Sequence, residues 1–165
     1  MNHLWAPWRI GYIRSAVKSG RIDKKGNCFF CKYVKERKDT ANLVVSRGKT
    51  AFVVMNKFPY NMGHLMVAPK IHQGKLEKLS DAELLDLICL TRDMRNLLSK
   101  VVKPHGFNIG INLGRVAGAG VVGHLHIHIV PRWNGDTNFM PITGATKVMP
   151  QMLGTLYKEL VNALK

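Results

Sequence analysis

The stretch G-H-L-H-I-H-I-V-P-R-W, residues 123–133, limits what this chain can fold into more than any other. His124, His126 and His128 alternate with Leu125, Ile127 and Ile129. A period of two is that of a β-strand, whose successive side chains point to opposite faces. The aliphatic set then faces a core, and three imidazoles line one open face. Packing rarely calls for three histidines in a row on one side, and two chemistries fit such a row. A zinc centre can take two ligands from a His-x-His pair and keep one position for an activated water. Alternatively, a neutral imidazole can act as a nucleophile while its neighbours orient it and donate to anionic oxygens.

The rest of the chain supplies a sheet for that strand. Short apolar runs bounded by turn residues predict strands near residues 43–45, 51–55, 64–68, 107–112 and 124–130. Ser80-Asp81-Ala82-Glu83 is a capping box, followed at helical spacing by Leu84, Leu87, Ile88, Met94, Leu98 and Val101 up to Pro104. A second helix is predicted from near Pro150 through Met152, Leu153, Leu156, Leu160 and Leu164. Strands, helix, strands, helix is the order of an α+β fold with a mainly antiparallel sheet. With 165 residues and no repeat or linker, a single domain is expected over residues 1–165, its core at about residues 27–133.

Twelve residues before His124 stands Asn112, followed by Leu113-Gly114-Arg115-Val116-Ala117-Gly118-Ala119-Gly120. Small residues let backbone N–H groups turn toward an anion, and Arg115 adds charge, so this loop suits phosphate beside the imidazoles. It lacks the Lys-Ser/Thr ending of a Walker A loop. The formal charge of +15, from 25 Lys and Arg against 10 Asp and Glu, also favours anionic partners: nucleic acid, polyphosphates or acidic membrane surfaces. It is scattered along the chain and does not choose among them.

No apolar run is long enough to span a bilayer, and Pro7 and Arg9 interrupt any signal-like segment, so a cytoplasmic protein without membrane attachment is expected. Cys28, Cys31 and Cys89 are too few and odd in number for a disulfide framework. Cys28-x-x-Cys31 has the spacing of half a tetrahedral zinc site, with reduced buried thiols as the alternative. Cys89 is expected in the core, and His3 and His105 are expected to be ordinary surface or loop residues.

H-L-H-I-H-I followed by V-P-R-W resembles the signature of the histidine triad (HIT) family. The similarity extends to F-P-Y-N-M-G-H-L-M-V-A-P-K-I-H, to N-I-G-I-N-L-G and to C-F-F-C, about residues 27–133 in all. L-W-A-P-W-R-I-G-Y-I and the stretch from Val130 to Gln151 are most similar to the branch acting as diadenosine tetraphosphate phosphorylases. This resemblance implies a five-stranded antiparallel sheet with two main helices, joined to a twin subunit in a homodimer with a ten-stranded sheet. It also implies nucleotidyl transfer or hydrolysis at the α-phosphate of a dinucleoside polyphosphate or related adenine nucleotide.

By position, the resemblance makes His126 the nucleophile, His128 the contact to phosphate and leaving group, and His64 the upstream member of a relay. It places Asn112 beside ribose and phosphate, Gly118, Ala119 and Gly120 around the phosphoryl oxygens, and Phe30 beside the base. Trp133 is expected to stack on a second nucleoside or to cover the dimer interface; Arg9, Arg115, Arg132 and Lys147 are candidates for the polyphosphate tail. Cys28 and Cys31 would be completed by His72 and His124 into a structural zinc site, so no catalytic metal is required.

Two departures from the family pattern bear on the reaction. Where the hydrolases commonly carry Gln and then Ser or Thr, this chain has Gly120 and Val121, which opens space for an acceptor bulkier than water and favours phosphorolysis by inorganic phosphate. Where an acidic residue commonly meets the ribose hydroxyls, it has Asn56. The competing expectations are hydrolysis of dinucleoside polyphosphates or nucleoside phosphoramidates, a zinc enzyme using the histidines as ligands, and a basic nucleic-acid-binding protein.

Overall fold

Every residue of A-F-V-V-M, Ala51–Met55, is buried, because this strand has an apolar layer on both faces. Ala51, Val53 and Met55 join one cluster and Phe52 and Val54 the other, as a period of two requires. The computed structural model describes residues 27–136 and 149–165. In chain order these contain α1 (Phe29–Glu36), α2 (Asp39–Asn42), β1 (Val44–Arg47), β2 (Ala51–Met55), β3 (Leu65–Pro69), a 3-10 turn (Leu76–Lys78), α3 (Asp81–Val101), β4 (Gly106–Ile111), β5 (Ile127–Arg132) and α4 (Leu153–Ala163). The strands form one sheet in the order β1-β2-β3-β5-β4, with every neighbouring pair antiparallel.

α3 and α4 cover one face. Ser80 caps α3 as expected: its Oγ accepts from the Glu83 N–H at 3.4 Å, and its own N–H donates to Glu83 Oε2 at 2.9 Å. Leu87, Met94, Leu97 and Leu98 pack on the sheet with Leu156 and Leu160 of α4, each large aliphatic side chain contributing about 1.5–3 kcal/mol. Ile88, expected on that buried face, is 60% exposed. Met152 and Leu164 likewise flank α4 in solvent, and Cys89 is only half-buried. Asp86 reaches back to the β1–β2 turn, where its Oδ2 accepts from the N–H groups of Thr50 and Ala51 at 2.7 and 2.9 Å.

The other face carries α1, an element the strand and helix periodicities did not foretell. Phe30, Cys31 and Tyr33 pack there with Phe52, Val54, Met66 and Ala68. β5 begins at Ile127, three residues later than expected, so His124 and His126 occupy an extended lead-in that the Leu125 N–H ties to Gln73 O at 2.7 Å. The imidazole row therefore lies beneath α1. Its face is not open: His124, His126 and His128 are 0%, 6% and 8% exposed.

Candidate active site and metal-binding cluster

Hydrogen bonds assign the tautomers of the buried imidazoles. His126 Nδ1 lies 2.9 Å from the carbonyl oxygen of His124, which can only accept, so Nδ1 carries the proton and Nε2 the lone pair. His64 Nδ1 receives the Tyr60 N–H at 3.0 Å, so its proton is on Nε2, which donates to His128 Nδ1 at 2.8 Å. Neutral His128 then holds its proton on Nε2. The row thus sets a nucleophilic nitrogen beside a donating one, with the two ring centroids 4.8 Å apart.

Both imidazoles line a cavity of about 220 Å³. Across the sheet, His128 stands between Met66 of β3 and Gly110 of β4, and a Cβ on Gly110 would meet nothing within 4 Å. The cavity walls are apolar where α1 and the sheet meet, formed by Phe29, Tyr33, Met66 and Val121. Asn56, Lys57 and Phe58 form its rim with Gly118 and Gly120. An apolar cavity that holds an imidazole lone pair and an imidazole N–H suits a heteroaromatic base joined to a phosphoryl group.

The expected binding residues divide on this geometry. Asn56 lines the cavity, whereas Phe30 does not: it is fully buried, with its ring 4.9 Å from that of His124 and 5.2 Å from that of His126. Its neighbour Phe29 supplies the cavity wall. In the glycine loop, Gly118 (φ +89°) and Gly114 (φ +83°) occupy left-handed backbone that suits glycine. The Gly118 and Ala119 amides donate to Arg115 O and Gly114 O at 3.0 and 3.2 Å and so close the turn of the loop itself. The Gly120 N–H takes no part in that turn.

Asn112 stands behind the loop, its Nδ2 3.8 Å from where a Cβ on Gly118 would lie, and neither Asn112 nor Ala119 lines the cavity. Trp133 also stands off it, its N–H donated to Asp136 Oδ2 at 3.2 Å. Arg132 is bound to Asp136, at 2.6 Å from Nε to Oδ2, and to Asn108, which removes it from the candidates for a polyphosphate tail. Arg115 is exposed on the loop, and Arg9, Lys147 and His3 lie outside the described residues. His105 does have a partner, its Nδ1 accepting from the Asn134 N–H at 2.9 Å.

The sequence reading missed Phe29, Tyr33, Lys57 and Val121 in the cavity. It also missed Tyr60, whose ring stacks on His64 at 4.8 Å and 16°. Phe29 and Tyr33 are four residues apart, the spacing of one helix face, and that was the available signal.

Four side chains named from the resemblance do converge. The ligand atoms of Cys28, Cys31, His72 and His124 all lie within 4.8 Å of one another. Cys28 Sγ is 3.4 Å from His124 Nδ1, and Cys31 Sγ is 3.3 Å from His72 Nδ1 and 3.6 Å from His124 Nδ1. A tetrahedral ion with N and S ligands at about 2.05 and 2.3 Å sets N···S edges of about 3.6 Å, so the cluster already has the dimensions of such a site. His124 Nε2 donates to Pro69 O at 2.8 Å, which turns the Nδ1 lone pair toward the sulfurs. Burial pushes the Cys28 thiol up to about 11 and the His124 imidazole down to about 4. Cys28 and His124 are therefore neutral at pH 7 without metal, and a cation would displace the Cys28 thiol proton on binding.

Among known proteins, the chain is 42% identical over 154 residues to an AP-4-A phosphorylase of Mycobacterium tuberculosis, covering 93% of this chain and 79% of that protein. It is 29% identical over 139 residues to the adenosine 5'-monophosphoramidase of Schizosaccharomyces pombe, covering 84% and 99%. Its fold matches the crystal structure of a Zn-bound histidine triad family protein from Mycobacterium smegmatis with a TM-score of 0.68 at 23% identity, over 86% and 95% of the two chains. The model of the HIT domain matches residues 37–135, the span from α2 through the imidazole row to the turn after β5. The buried histidines, the sheet that carries them and these likenesses agree: the chain belongs to the HIT family.

Proposed function

We propose that the protein transfers a nucleotidyl group from a dinucleoside polyphosphate, diadenosine tetraphosphate above all, to inorganic phosphate by way of a nucleotidyl-histidine on His126. The observation that carries this reading is the bond from His126 Nδ1 to the His124 carbonyl, which leaves the Nε2 lone pair for phosphorus in a cavity that accepts a base. In the first step, the N–P bond forms as the P–O bond to the departing nucleotide breaks, and the electron pair stays on the leaving oxygen. His128 Nε2–H and the Gly120 amide donate to the phosphoryl and leaving oxygens, the electrostatic contribution that commonly dominates such transfers. A phosphate oxygen then bonds to phosphorus from the side the nucleotide has left as the N–P bond breaks, releasing ADP and returning the lone pair to His126 Nε2.

Asn56 is assigned to the ribose, and Asn112, Gly118 and Ala119 to the shape of the loop behind the phosphates. Likeness to the mycobacterial phosphorylase, with Gly120 and Val121 at the cavity, supports phosphate as acceptor. Likeness to the fission yeast phosphoramidase supports hydrolysis of phosphoramidates as the rival. Incubation with diadenosine tetraphosphate separates phosphate from water as acceptor, and incubation with adenosine 5'-monophosphoramidate tests the rival. Phosphorolysis yields ATP and ADP, the ADP only when inorganic phosphate is present, whereas ATP and AMP under both conditions would make the protein a hydrolase.

The Cys28, Cys31, His72 and His124 cluster is assigned to a structural zinc ion. Bound there, zinc would tie α1 to the β3–α3 connection and to the lead-in of β5. Four protein ligands leave it no open position for catalysis. Chelation should therefore lower the melting temperature before it lowers turnover, and metal analysis of the untagged protein should find one zinc per chain. β4 is an edge strand with Ile109 48% exposed and Leu113 just beyond it 52% exposed, which supports pairing with a second copy into a ten-stranded sheet. No helix among the described residues is long and apolar enough to cross a membrane, in keeping with the proposed cytoplasmic site of action.

A further inference from the structure

The β3–α3 connection lies against the lead-in of β5, backbone to backbone. The Leu125 N–H donates to Gln73 O at 2.7 Å, and the next residue, Gly74, presses on Val122 and Gly123. A Cβ on Gly74 would stand 2.3 Å from the Val122 carbonyl oxygen and 3.0 Å from Gly123 Cα and its carbonyl carbon. All three are backbone atoms, which do not swing aside as the end of a side chain does. Ordinary contact begins at about 3.4 Å, so one methyl group would drive the two segments about 1 Å apart. Gly74 is not in the left-handed region of backbone space, so room rather than conformation demands glycine here.

Both segments carry functional groups. His72 stands two residues before Gly74, its Nδ1 3.3 Å from Cys31 Sγ. The lead-in runs from Val121 at the cavity through His124 to His126. The His126 ring is tied to it by the 2.9 Å bond from Nδ1 to the His124 carbonyl. That carbonyl belongs to the main chain, so its direction follows the path of the lead-in. The path is held at Leu125 by the bond to Gln73 and at Val122 by the contact with Gly74.

We propose that Gly74 is a positioning residue for nucleotidyl transfer. Having no side chain, it lets the connection close on the lead-in, and this sets the His124 carbonyl that keeps the His126 proton on Nδ1 and leaves Nε2 to the cavity. The inference rests on His126 as the nucleophile. Misplacing a reacting group by about 1 Å costs up to about a hundredfold in rate. Binding of the base depends on this contact much less, because Phe29 and Tyr33 of α1, Met55 of β2 and Met66 of β3 form most of the apolar wall.

Gly74→Ala should therefore lower kcat with diadenosine tetraphosphate and phosphate about tenfold to a hundredfold, with KM within about threefold of wild type. The nitrogen NMR signals of the His126 ring supply a readout that a purely structural role would leave in place. Wild type should show a proton on Nδ1 and a bare Nε2, and the variant a proton shared between the two nitrogens. Gly154→Ala, in α4 where an added Cβ meets nothing within 4 Å, is the control and should match wild type in rate and signals. Gln73→Ala deletes the Oε1 that accepts the Lys75 N–H at 3.0 Å, so it loosens the connection without adding bulk. It should shift the same signals with a severalfold loss of kcat.

A Gly74→Ala protein with wild-type His126 signals overturns the proposal whatever its rate, and so does one whose kcat stays within about twofold of wild type. If Gly74→Ala does not fold, Gln73→Ala decides, and unchanged signals there count against the proposal. Should the wild type form no adduct on His126, the nucleophile assigned above falls, while the ring signals still judge whether Gly74 sets that imidazole.

Discussion

Two histidine clusters lie side by side, joined along β5 and its lead-in by His124, His126 and His128, and they are wired in opposite senses. In the sulfur cluster, His124 gives its Nε2 proton to the carbonyl of Pro69 and shows Nδ1 to Cys28 and Cys31. In the phosphoryl cluster, His126 gives its Nδ1 proton to the carbonyl of His124 and is left with the lone pair on Nε2. Residue type and burial are the same. The position of one backbone carbonyl decides which nitrogen is available, and so separates a ring suited to a metal from a ring suited to phosphorus. His124 belongs to both clusters, its side chain to one and its carbonyl to the other.

Replacing His126 breaks one side of this comparison and spares the other. His126→Gly should lower kcat about a thousandfold or more, because a nucleophile acts as a unit with its partners. The Cys28, Cys31, His72 and His124 cluster should keep its metal. Measured turnover, mass spectrometry for a nucleotidyl adduct and metal content report the three quantities separately. Near-normal turnover would remove His126 from the chemistry.

Phe30 touches both clusters, with its ring about equally close to His124 and His126. Phe30→Ala should destabilise the fold by about 3–5 kcal/mol, the cost of a large cavity in a tight core. Metal retention and turnover should fall together in this variant. If thermal unfolding and metal content are unchanged, the two clusters are not packed against a common support.

The pH dependence of the metal-free protein sharpens the sulfur side alone. Burial lowers His124 from 6.5 to about 4, so the folded state favours the neutral ring. A depressed folded value means the stability is present above about pH 6.5 and is lost as pH falls toward about 4, amounting to about 3 kcal/mol. Metal binding should shift unfolding in the same direction, since protons compete for His124 Nδ1 and for the Cys28 thiolate. Melting temperatures of metal-free and zinc-loaded protein across that range would show it; a flat profile without metal would mean that His124 is hydrated.

Much of this arrangement was legible in the sequence. The strand alternation, the capping box at Ser80 and the position of Pro104 report local rules, and the five strands and α3 lie close to where those rules put them. The four sulfur-cluster residues, far apart in the chain, were legible only through the family resemblance. The cover of the imidazole row was not, because α1 is short and its docking depends on Phe52, Val54 and Met66 of other strands. Glycines at 118 and 120 announce a permissive loop but not where its amides point, and two of those amides close the turn itself. Phe30 was expected beside the base where Phe29 lines the cavity for a related reason: adjacent residues on a helix differ by about 100° in direction, and only tertiary packing fixes that phase.

Phe29 gives the mildest of the expected effects. Phe29 lies against Phe30, with ring centroids 4.1 Å apart, and against Tyr33 at 5.4 Å, yet it lines the cavity and is only half-buried. Phe29→Ala should remove a stacking surface from the base without opening the core. KM for the nucleotide should rise roughly fivefold, about 1 kcal/mol, while kcat and metal content stay near wild type. A loss of kcat with KM unchanged would instead place Phe29 with Phe30, as support for the two clusters rather than as a wall of the base site.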